Sequence, residues 1–133
     1  MPKILVVEDS FSMRSFVRSA LETGTELGEV DVVEAAGGFE ALRLLPRGPY
    51  DLVITDINMP DINGLELIQF IRTNEHHRST PILLISTQSS ERDRARALSL
   101  GADGYVAKPF TPEDLRLRVK AQLEKGRPAR GNG

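Results

Sequence analysis

The sequence predicts a doubly wound α/β fold, in which helices cover both faces of a five-stranded parallel sheet. Two observations carry this prediction. Short apolar runs, mostly β-branched, recur five times along the chain, and a segment with helical character follows each of them. Continuous apolar runs of this length are typical of strands that are buried on both faces, as parallel strands are. Because a parallel connection needs a crossover of a dozen or more residues, alternating strands and helices are the simplest arrangement that fits.

Each element follows from its apolar pattern. The predicted strands cover residues 4–7, 30–33, 52–54, 82–85 and 105–107. In the first four segments that follow them, apolar residues recur mainly at intervals of three and four, which places them on one face of a helix. These apolar stripes comprise Met13, Phe16, Val17, Ala20 and Leu21; Phe39, Leu42 and Leu45; Leu65, Leu67, Ile68 and Ile71; and Ala95, Ala97, Leu98 and Leu100.

Local signals mark where several of these helices begin and end. The second stripe stops at Pro46, and the third is entered through Gly64. Gly101 stands directly after the fourth stripe, where a glycine commonly ends a helix. The last helix is expected to begin with Thr111 as its N-cap and Pro112 as its first helical residue. The acidic residues that follow suit the positive end of the helix dipole.

Length and composition exclude several classes of protein. The chain has 133 residues, enough for one domain, and its 17 basic and 19 acidic side chains give a net charge of −2. This charge offers no general electrostatic reason to bind nucleic acid. The absence of cysteine excludes a disulfide-stapled secreted fold and a thiolate metal site. No apolar run approaches the roughly 20 residues of a membrane span, and no signal-peptide cleavage region follows the first run.

These exclusions lead to a plain expectation about the organisation of the chain. We expect a cytoplasmic monomer with no membrane insertion and no nucleic-acid partner. Residues 1–125 are predicted to form one domain. Residues 126–133 are rich in glycine, proline and arginine and have no apolar periodicity. They are predicted to form a disordered basic tail.

Polar side chains of complementary type follow four of the five predicted strands. Glu8 and Asp9 come after the first strand, Asp56 after the third, Ser86 after the fourth and Lys108 after the fifth. Ligands of an open parallel sheet bind outside the carboxyl ends of its strands, so these side chains are expected at one edge. Any one of them is what an ordinary polar loop would show. The four positions together indicate a site.

The residue types indicate the chemistry of that site. Clustered carboxylates repel one another, and a divalent cation relieves this repulsion. All-oxygen ligation suits Mg²⁺, while a lysine and a hydroxyl are useful if a phosphoryl group arrives. We assign Asp56, after a central strand, as the phosphoryl acceptor, and Glu8 and Asp9 as metal ligands. No glycine-rich loop of the nucleoside-triphosphatase type is present.

Four segments carry a resemblance to a known family: ILVVEDS at 4–10, DLVITDINMP at 51–60, PILLIS at 81–86 and GADGYVAKPF at 101–110. Together they closely resemble the receiver domain of bacterial two-component response regulators, in particular its stand-alone chemotaxis type. The resemblance covers nearly the whole chain. It implies a flavodoxin-like sheet with strand order 2-1-3-4-5, and a sensor histidine kinase of the chemotaxis or another type as phosphoryl donor.

The resemblance also implies the roles of individual residues. Asp56 corresponds to the phosphorylated aspartate, and Lys108 to the lysine of the phosphoryl site. Glu8 and Asp9 correspond to the acidic pair that binds Mg²⁺, with Asp56 and the backbone carbonyl of Asn58 as further ligands. Such a domain is not an enzyme in the usual sense, because it catalyses only its own phosphorylation and dephosphorylation.

The same resemblance implies a conformational switch. Ser86 matches the switch hydroxyl, which moves to donate a hydrogen bond to the phosphate. Tyr105 matches the switch aromatic, which then packs inward. The surface formed by the fourth helix, the fifth strand and the fifth helix changes shape as a result, and a downstream protein target binds there.

Several positions depart from the family or stay outside its site. Thr87 stands where a small residue is usual, so we expect altered rates with small phosphodonors or in hydrolysis. Gly37 and Gly38 stand where an acidic residue followed by a glycine is commoner, which weakens the expected N-cap of the second helix. Arg92, Arg94 and Arg96 are interpreted as a solvated helix face, with a docking patch for an acidic or phosphate-bearing partner as the alternative. His76 and His77 are expected to be exposed in a loop.

The sequence leaves three other functions open. The chain could be a receiver-fold module that binds its partner without phosphorylation, although such modules usually lose one of the site residues. It could be a receiver fragment of a larger regulator. A Mg²⁺-dependent small-molecule phosphatase is a weaker alternative, because Asn58 stands where a second catalytic acid would be needed.

Overall fold

The sheet has the strand number, direction and order that the sequence predicts. The computed structural model describes residues 1–87 and 91–125, so the tail predicted at 126–133 lies outside the described residues. The strands are β1 (Lys3–Val7), β2 (Asp31–Ala35), β3 (Leu52–Asp56), β4 (Ile82–Ser86) and β5 (Gly104–Ala107). All neighbours are parallel, in the order β2-β1-β3-β4-β5. The order of the strands across the sheet reverses between β1 and β3. Ligands of such sheets bind at the carboxyl ends of the strands beside this point.

Helices cover both faces of this sheet. They are α1 (Phe11–Glu22), α2 (Gly38–Leu44), α3 (Gly64–Thr73), α4 (Glu91–Leu100) and α5 (Pro112–Lys125), with a 3₁₀ turn (Leu45–Arg47) after α2. Buried residues of α1 and α5 share one apolar core with one face of the sheet. Buried residues of α2, α3 and α4 share a second core with the other face. The predicted doubly wound α/β fold is therefore confirmed.

The helix boundaries follow from local hydrogen bonds. The Thr111 hydroxyl accepts the Asp114 N–H at 3.0 Å, and α5 begins at Pro112, as predicted. Gly101 has φ +122° directly after α4, and its N–H donates to the Leu98 carbonyl at 3.1 Å. This backbone conformation favours glycine, which explains why the helix ends there. The N-terminus of α3 is closed by a reciprocal capping box between Asn63 and Glu66.

Some predicted boundaries and core positions are wrong. β2 covers 31–35 instead of 30–33, because its register with β1 continues from Asp31 to Ala35. Phe39 is 61% exposed and Leu98 is 47% exposed, although both were predicted on apolar helix faces. In α4, Ala97 is the residue that is buried, and Leu98 lies about 100° further round the helix. An interval pattern indicates that a face exists, but the sheet covers only part of it.

The apolar strands occupy the centre of the molecule. The residues from Ile4 to Val7, from Leu52 to Ile54 and from Ile82 to Ile85 are almost completely buried. No helix in the described ranges is long and apolar enough to span a membrane. The buried strands hold the polar side chains that follow them at the carboxyl edge of the sheet.

Candidate functional site

The carboxyl edge of the sheet brings two buried carboxylates and one ammonium into contact. The Lys108 Nζ donates to the Glu8 Oε1 at 2.9 Å and to the Asp56 Oδ2 at 3.0 Å. Glu8 is only 1% exposed and Asp56 is 7% exposed. Charged groups are rarely buried this far unless they are paired. The positive charge of Lys108 therefore compensates the negative charges of two acids that are 100 and 52 residues away in the sequence.

Glu8 is held in place by its own backbone as well as by Lys108. It directly follows β1, and its N–H donates to the Ala35 carbonyl at 3.0 Å, at the end of β2. Its carboxylate accepts the Ser10 N–H at 3.0 Å, and its carbonyl accepts the Arg14 guanidinium at 2.9 Å. The contribution of Arg14 was not predicted, since nothing in the sequence shows which carbonyl a helix arginine will reach.

Asp56 is the last residue of β3, and its two carboxylate oxygens have different partners. Oδ1 accepts the Ile57 N–H at 2.7 Å and the Asn58 N–H at 3.4 Å, while Oδ2 faces Lys108. The exposed Asn58 therefore lies in the loop directly beside the carboxylate. These hydrogen bonds fix the orientation of the Asp56 carboxylate.

Burial, hydrogen bonds and neighbouring charges all shift the pKa values of Glu8 and Lys108. Burial is the main reason why the pKa of Glu8 lies above its ordinary value of 4.5, and the charge of Asp56 raises it further. Hydrogen bonds from Ser10 and Lys108 oppose this rise. For Lys108, burial disfavours the charged form, but the hydrogen bonds and charges of Glu8 and Asp56 outweigh it and raise its pKa. Lys108 is therefore an ammonium at neutral pH.

The acidic residues have the donor chemistry of a site for a hard cation. One carboxylate oxygen from each of Glu8, Asp9 and Asp56 lies within 4.8 Å of the others. Asp9 is exposed, so the cluster is open to solvent on that side. Three carboxylates with room for water are the kind of ligand set that Mg²⁺ accepts. The residues present therefore fit the predicted metal.

Ser86 and Tyr105 lie on the two strands beyond β3. Ser86 is the fully buried last residue of β4, and its carbonyl accepts the Lys108 N–H at 2.8 Å. Tyr105 on β5 is 9% exposed, and its ring belongs to the apolar core beneath α3 and α4. Its hydroxyl is buried without a hydrogen-bond partner among the described residues. The structure therefore places Ser86 beside Lys108, and Tyr105 one strand further from Asp56.

Two predictions for residues outside this cluster are changed by the structure. His77 is 4% exposed, so the expectation that both histidines are exposed is wrong for it. Its ring packs against Tyr50, with the centroids 6.3 Å apart, and burial lowers its pKa. The described residues place no group of three metal ligands around it. Arg94 is half-buried over the ring of Tyr105, whereas Arg92 and Arg96 form the solvated face that was expected.

Known proteins match this chain over most of its length. Residues 4–120 match the family model described as the response regulator receiver domain. A chemotaxis protein CheY homolog of Campylobacter jejuni is 38% identical over 125 residues, which cover 93% of this chain and 94% of the relative. Chemotaxis protein CheY1 of Helicobacter pylori is 37% identical, with 91% of this chain and 96% of the relative covered.

Solved structures show the same similarity in three dimensions. The chemotaxis response regulator CheY4 of Vibrio cholerae has a TM-score of 0.81 and 34% identity to this chain, and covers 92% of it. The match includes 98% of that structure. The resemblance predicted from the sequence is thus confirmed. By its family model and by relatives of this identity, the chain belongs to the response regulator receiver domain family and is similar to its CheY-type chemotaxis members.

Proposed function

We propose that this chain is a phosphorylation-controlled signalling switch. Asp56 accepts a phosphoryl group from a histidine kinase in a Mg²⁺-dependent reaction, and phosphorylation changes the affinity of the α4–β5–α5 surface for a protein target. One observation carries the proposal: Asp56 is a nearly buried carboxylate with Lys108 on one oxygen and the backbone N–H groups of the following loop on the other. Glu8 and Asp9 complete the acidic cluster beside it.

The transfer itself needs few groups. A carboxylate oxygen of Asp56 attacks the phosphorus of a phosphohistidine, and an acyl phosphate bond forms as the phosphorus–nitrogen bond breaks. The electron pair of the broken bond returns to the imidazole nitrogen of the kinase, which takes up a proton. Lys108 already lies 3.0 Å from Asp56, so its ammonium can balance the charge of the arriving phosphoryl oxygens.

Glu8, Asp9, Asp56 and the backbone carbonyl of Asn58 are the groups that would hold Mg²⁺. When bound, the ion supplies positive charge that offsets the repulsion between the acids and the phosphoryl group. The chain's own residues prepare this site before any ligand arrives. Glu8 is fixed by Ser10 and Lys108, while the exposed Asp9 remains available to solvent.

The proposed output follows from the position of Ser86 and Tyr105. A phosphate on Asp56 is a strong acceptor at the end of β3, and Ser86 ends the neighbouring strand β4. Movement of the Ser86 hydroxyl toward the phosphate changes the packing beneath Tyr105. The backbone of Tyr105 also contacts α5, because the Arg118 guanidinium donates to its carbonyl at 3.3 Å. A change at β5 therefore reaches both helices of the target surface.

The test is formation of the acyl phosphate. The wild-type chain is incubated with a small phosphodonor such as acetyl phosphate, with and without Mg²⁺, and the intact mass is measured. We expect one added phosphoryl group that requires Mg²⁺ and is lost in Asp56→Ala, while the control Asp51→Ala is modified like the wild type. Modification that persists in Asp56→Ala, or no Mg²⁺-dependent modification of the wild type, would contradict the proposal.

A second measurement separates a switch from a phosphorylation-independent binding module. Beryllium fluoride, a phosphate mimic, is added with Mg²⁺ while amide resonances of α4, β5 and α5 are followed by NMR. We expect these resonances to shift in the wild type and to stay unchanged in Asp56→Ala. If the surface does not respond to the mimic, the chain is a passive interaction module.

A further inference from the structure

The N-terminus of α2 is closed by a residue from another loop. Gly37 has no side chain to cap the helix, as the sequence indicates. Instead, the carboxylate of Asp61 accepts the N–H of Gly38 at 3.1 Å and that of Phe39 at 2.9 Å. These are two of the N–H groups that a helix leaves without internal partners. The weak cap expected from the glycines is therefore replaced by a cap from the loop between β3 and α3.

The two glycines are what allows this loop to come so close. A Cβ atom built on Gly37 would lie 2.9 Å from the Asp61 Oδ2, and one built on Gly38 would lie 2.6 Å from the Ile62 Cβ. A side chain at Gly38 would push the Ile62 backbone away from α2, whereas a side chain at Gly37 would meet only the carboxylate of Asp61. The glycine pair and Asp61 therefore act together: α2 has no N-cap side chain of its own, and Asp61 from the loop caps it instead.

This loop is the one that follows the phosphoryl acceptor. It starts at Asp56, whose Oδ1 accepts the Ile57 N–H, and it ends where the Gly64 N–H donates to the Ile57 carbonyl at 2.7 Å. Between these points, Asn58, Pro60 and Asp61 are exposed, while the side chain of Met59 is buried in the apolar core. The hydrogen bonds of Asp61 to α2 are the polar attachment that the described residues provide for this exposed middle part.

Both carboxylate oxygens of Asp61 accept backbone N–H groups. Oδ1 accepts from Gly38 and also from Ile62 at 2.7 Å, and Oδ2 accepts from Phe39. These backbone hydrogen bonds, the one from Phe39 first, lower the pKa of Asp61. Asp61 is also outside the cluster of acids that could share a cation. Its role is therefore to bind backbone, not metal.

We infer that Asp61 is a positioning residue of the phosphoryl acceptor site: it ties the loop that carries Asn58 to α2 and so holds the Asn58 carbonyl where a cation beside Glu8, Asp9 and Asp56 can use it. This inference rests on the proposed function. Residues that orient the ligands of a metal typically change its affinity by 10-fold or more when they are replaced. Asp61 has this effect through the loop, without touching the ion.

The experiment compares Asp61→Ala with the double variant Gly37→Asp/Asp61→Ala. The double variant keeps the net charge of the wild type and gives α2 an N-cap of its own, since the extended backbone of Gly37 accepts any residue. The affinity for Mg²⁺ is measured by calorimetry and by the amide shifts of the 57–63 loop, and the unfolding midpoint is measured separately. Asp51→Ala, which removes an exposed aspartate bonded to the Lys3 N–H, is the matched control.

We expect Asp61→Ala to bind Mg²⁺ about 10-fold more weakly and to unfold at lower denaturant concentration. The double variant should recover the unfolding midpoint but not the affinity, because the helix is capped while the loop remains untied. An affinity equal to that of the wild type in Asp61→Ala, or an affinity restored in the double variant, would overturn the inference. A wild type that binds no Mg²⁺ would instead contradict the proposed function itself.

Discussion

The guanidinium of Arg94 on α4 lies over the ring of Tyr105 on β5, with its central carbon 4.6 Å from the ring centroid. The Nε of Arg94 and the hydroxyl of Tyr105 are both buried without a hydrogen-bond partner among the described residues. The two side chains therefore shield each other from water at the surface proposed to bind the target. Any inward or outward movement of Tyr105 has to act on this stacked pair.

Replacing Arg94 should loosen Tyr105. We expect Arg94→Ala to expose the ring and to lower the free energy of unfolding by about 0.5–1 kcal/mol, because the cation–π contact and the packing of the arginine stem are lost. Arg94→Lys should recover only part of this, since lysine lacks the planar group. Ring exposure is measured by NMR with a soluble paramagnetic agent, and the buried Tyr50 is the internal reference. Unchanged exposure of Tyr105 in Arg94→Ala would contradict the prediction.

Removing Lys108 should leave two buried acids without a cation. We expect Lys108→Met to lower the free energy of unfolding by about 3 kcal/mol at neutral pH, because breaking a buried ion pair leaves charge uncompensated. The loss should be smaller in Mg²⁺, which supplies a replacement charge. Urea unfolding with and without Mg²⁺ measures both effects. The exposed Lys120→Met is the control, and an equal small effect of the two substitutions would show that the Lys108 contacts contribute little.

Stability should depend on pH through Glu34 in a definite direction. Glu34 on β2 accepts Arg14 Nε at 3.0 Å and an Arg18 guanidinium nitrogen at 2.7 Å. The hydrogen bond from Arg18 is the main reason why the pKa of Glu34 lies below its ordinary value of 4.5. Burial opposes this shift, and the hydrogen bond from Arg14 adds to it. Because the folded-state pKa is the lower one, the carboxylate stabilises the protein above pH 4.5, and this contribution is lost as the pH falls through the folded-state value.

The corresponding measurement uses Glu34→Gln. At pH 7 we expect it to lower the free energy of unfolding by about 0.5–1 kcal/mol, as is common for partly exposed ion pairs. The difference from the wild type should shrink as the pH is lowered from 4.5 and should disappear in stronger acid, where Glu34 is protonated in both states. Glu124→Gln, at an exposed position, controls for the loss of one negative charge. A difference that grows toward acid pH would show that the sign is wrong.

Thr87 should slow reactions with small molecules at Asp56. It is exposed and directly follows Ser86, at the edge of the proposed phosphoryl site. We expect Thr87→Ala to accelerate phosphorylation by acetyl phosphate about threefold to tenfold, equivalent to roughly 1 kcal/mol of barrier. The initial rate of acyl phosphate formation measures this, and Thr73→Ala on α3 is a control for the loss of an exposed threonine. Equal rates for the wild type and Thr87→Ala would exclude an effect of Thr87 on access.

The sheet and the composition of its carboxyl edge could be predicted because both depend on local pattern. A run such as 82–85 indicates a strand by itself, and parallel connections then bring every strand's carboxyl end to the same edge. Glu8, Asp56 and Lys108 follow three such runs, so their arrival at one edge required no knowledge of loops or helix packing. The resemblance to receiver domains rests on these same segments, which is why it and the strand order are confirmed together.

The extent of burial on the helices could be predicted only in part. An apolar interval pattern shows that one face of a helix turns inward, but not where the neighbouring sheet ends. Phe39, in the first turn of α2, and Leu98, next to the buried Ala97 of α4, both lie beyond the covered part of the face and are exposed. His77 shows the opposite case, because a polar residue in a loop becomes buried against Tyr50.

What the sequence determined by itself is therefore the order of the elements, the direction of the strands and the set of polar residues at their carboxyl ends. The tertiary structure alone decided which of these groups touch: Lys108 with both Glu8 and Asp56, Arg94 with Tyr105, and Asp61 with the start of α2. The physical reason is one of range. Apolar periodicity constrains which face is buried, whereas a hydrogen bond requires atoms about 3 Å apart, and that distance depends on how distant segments finally pack.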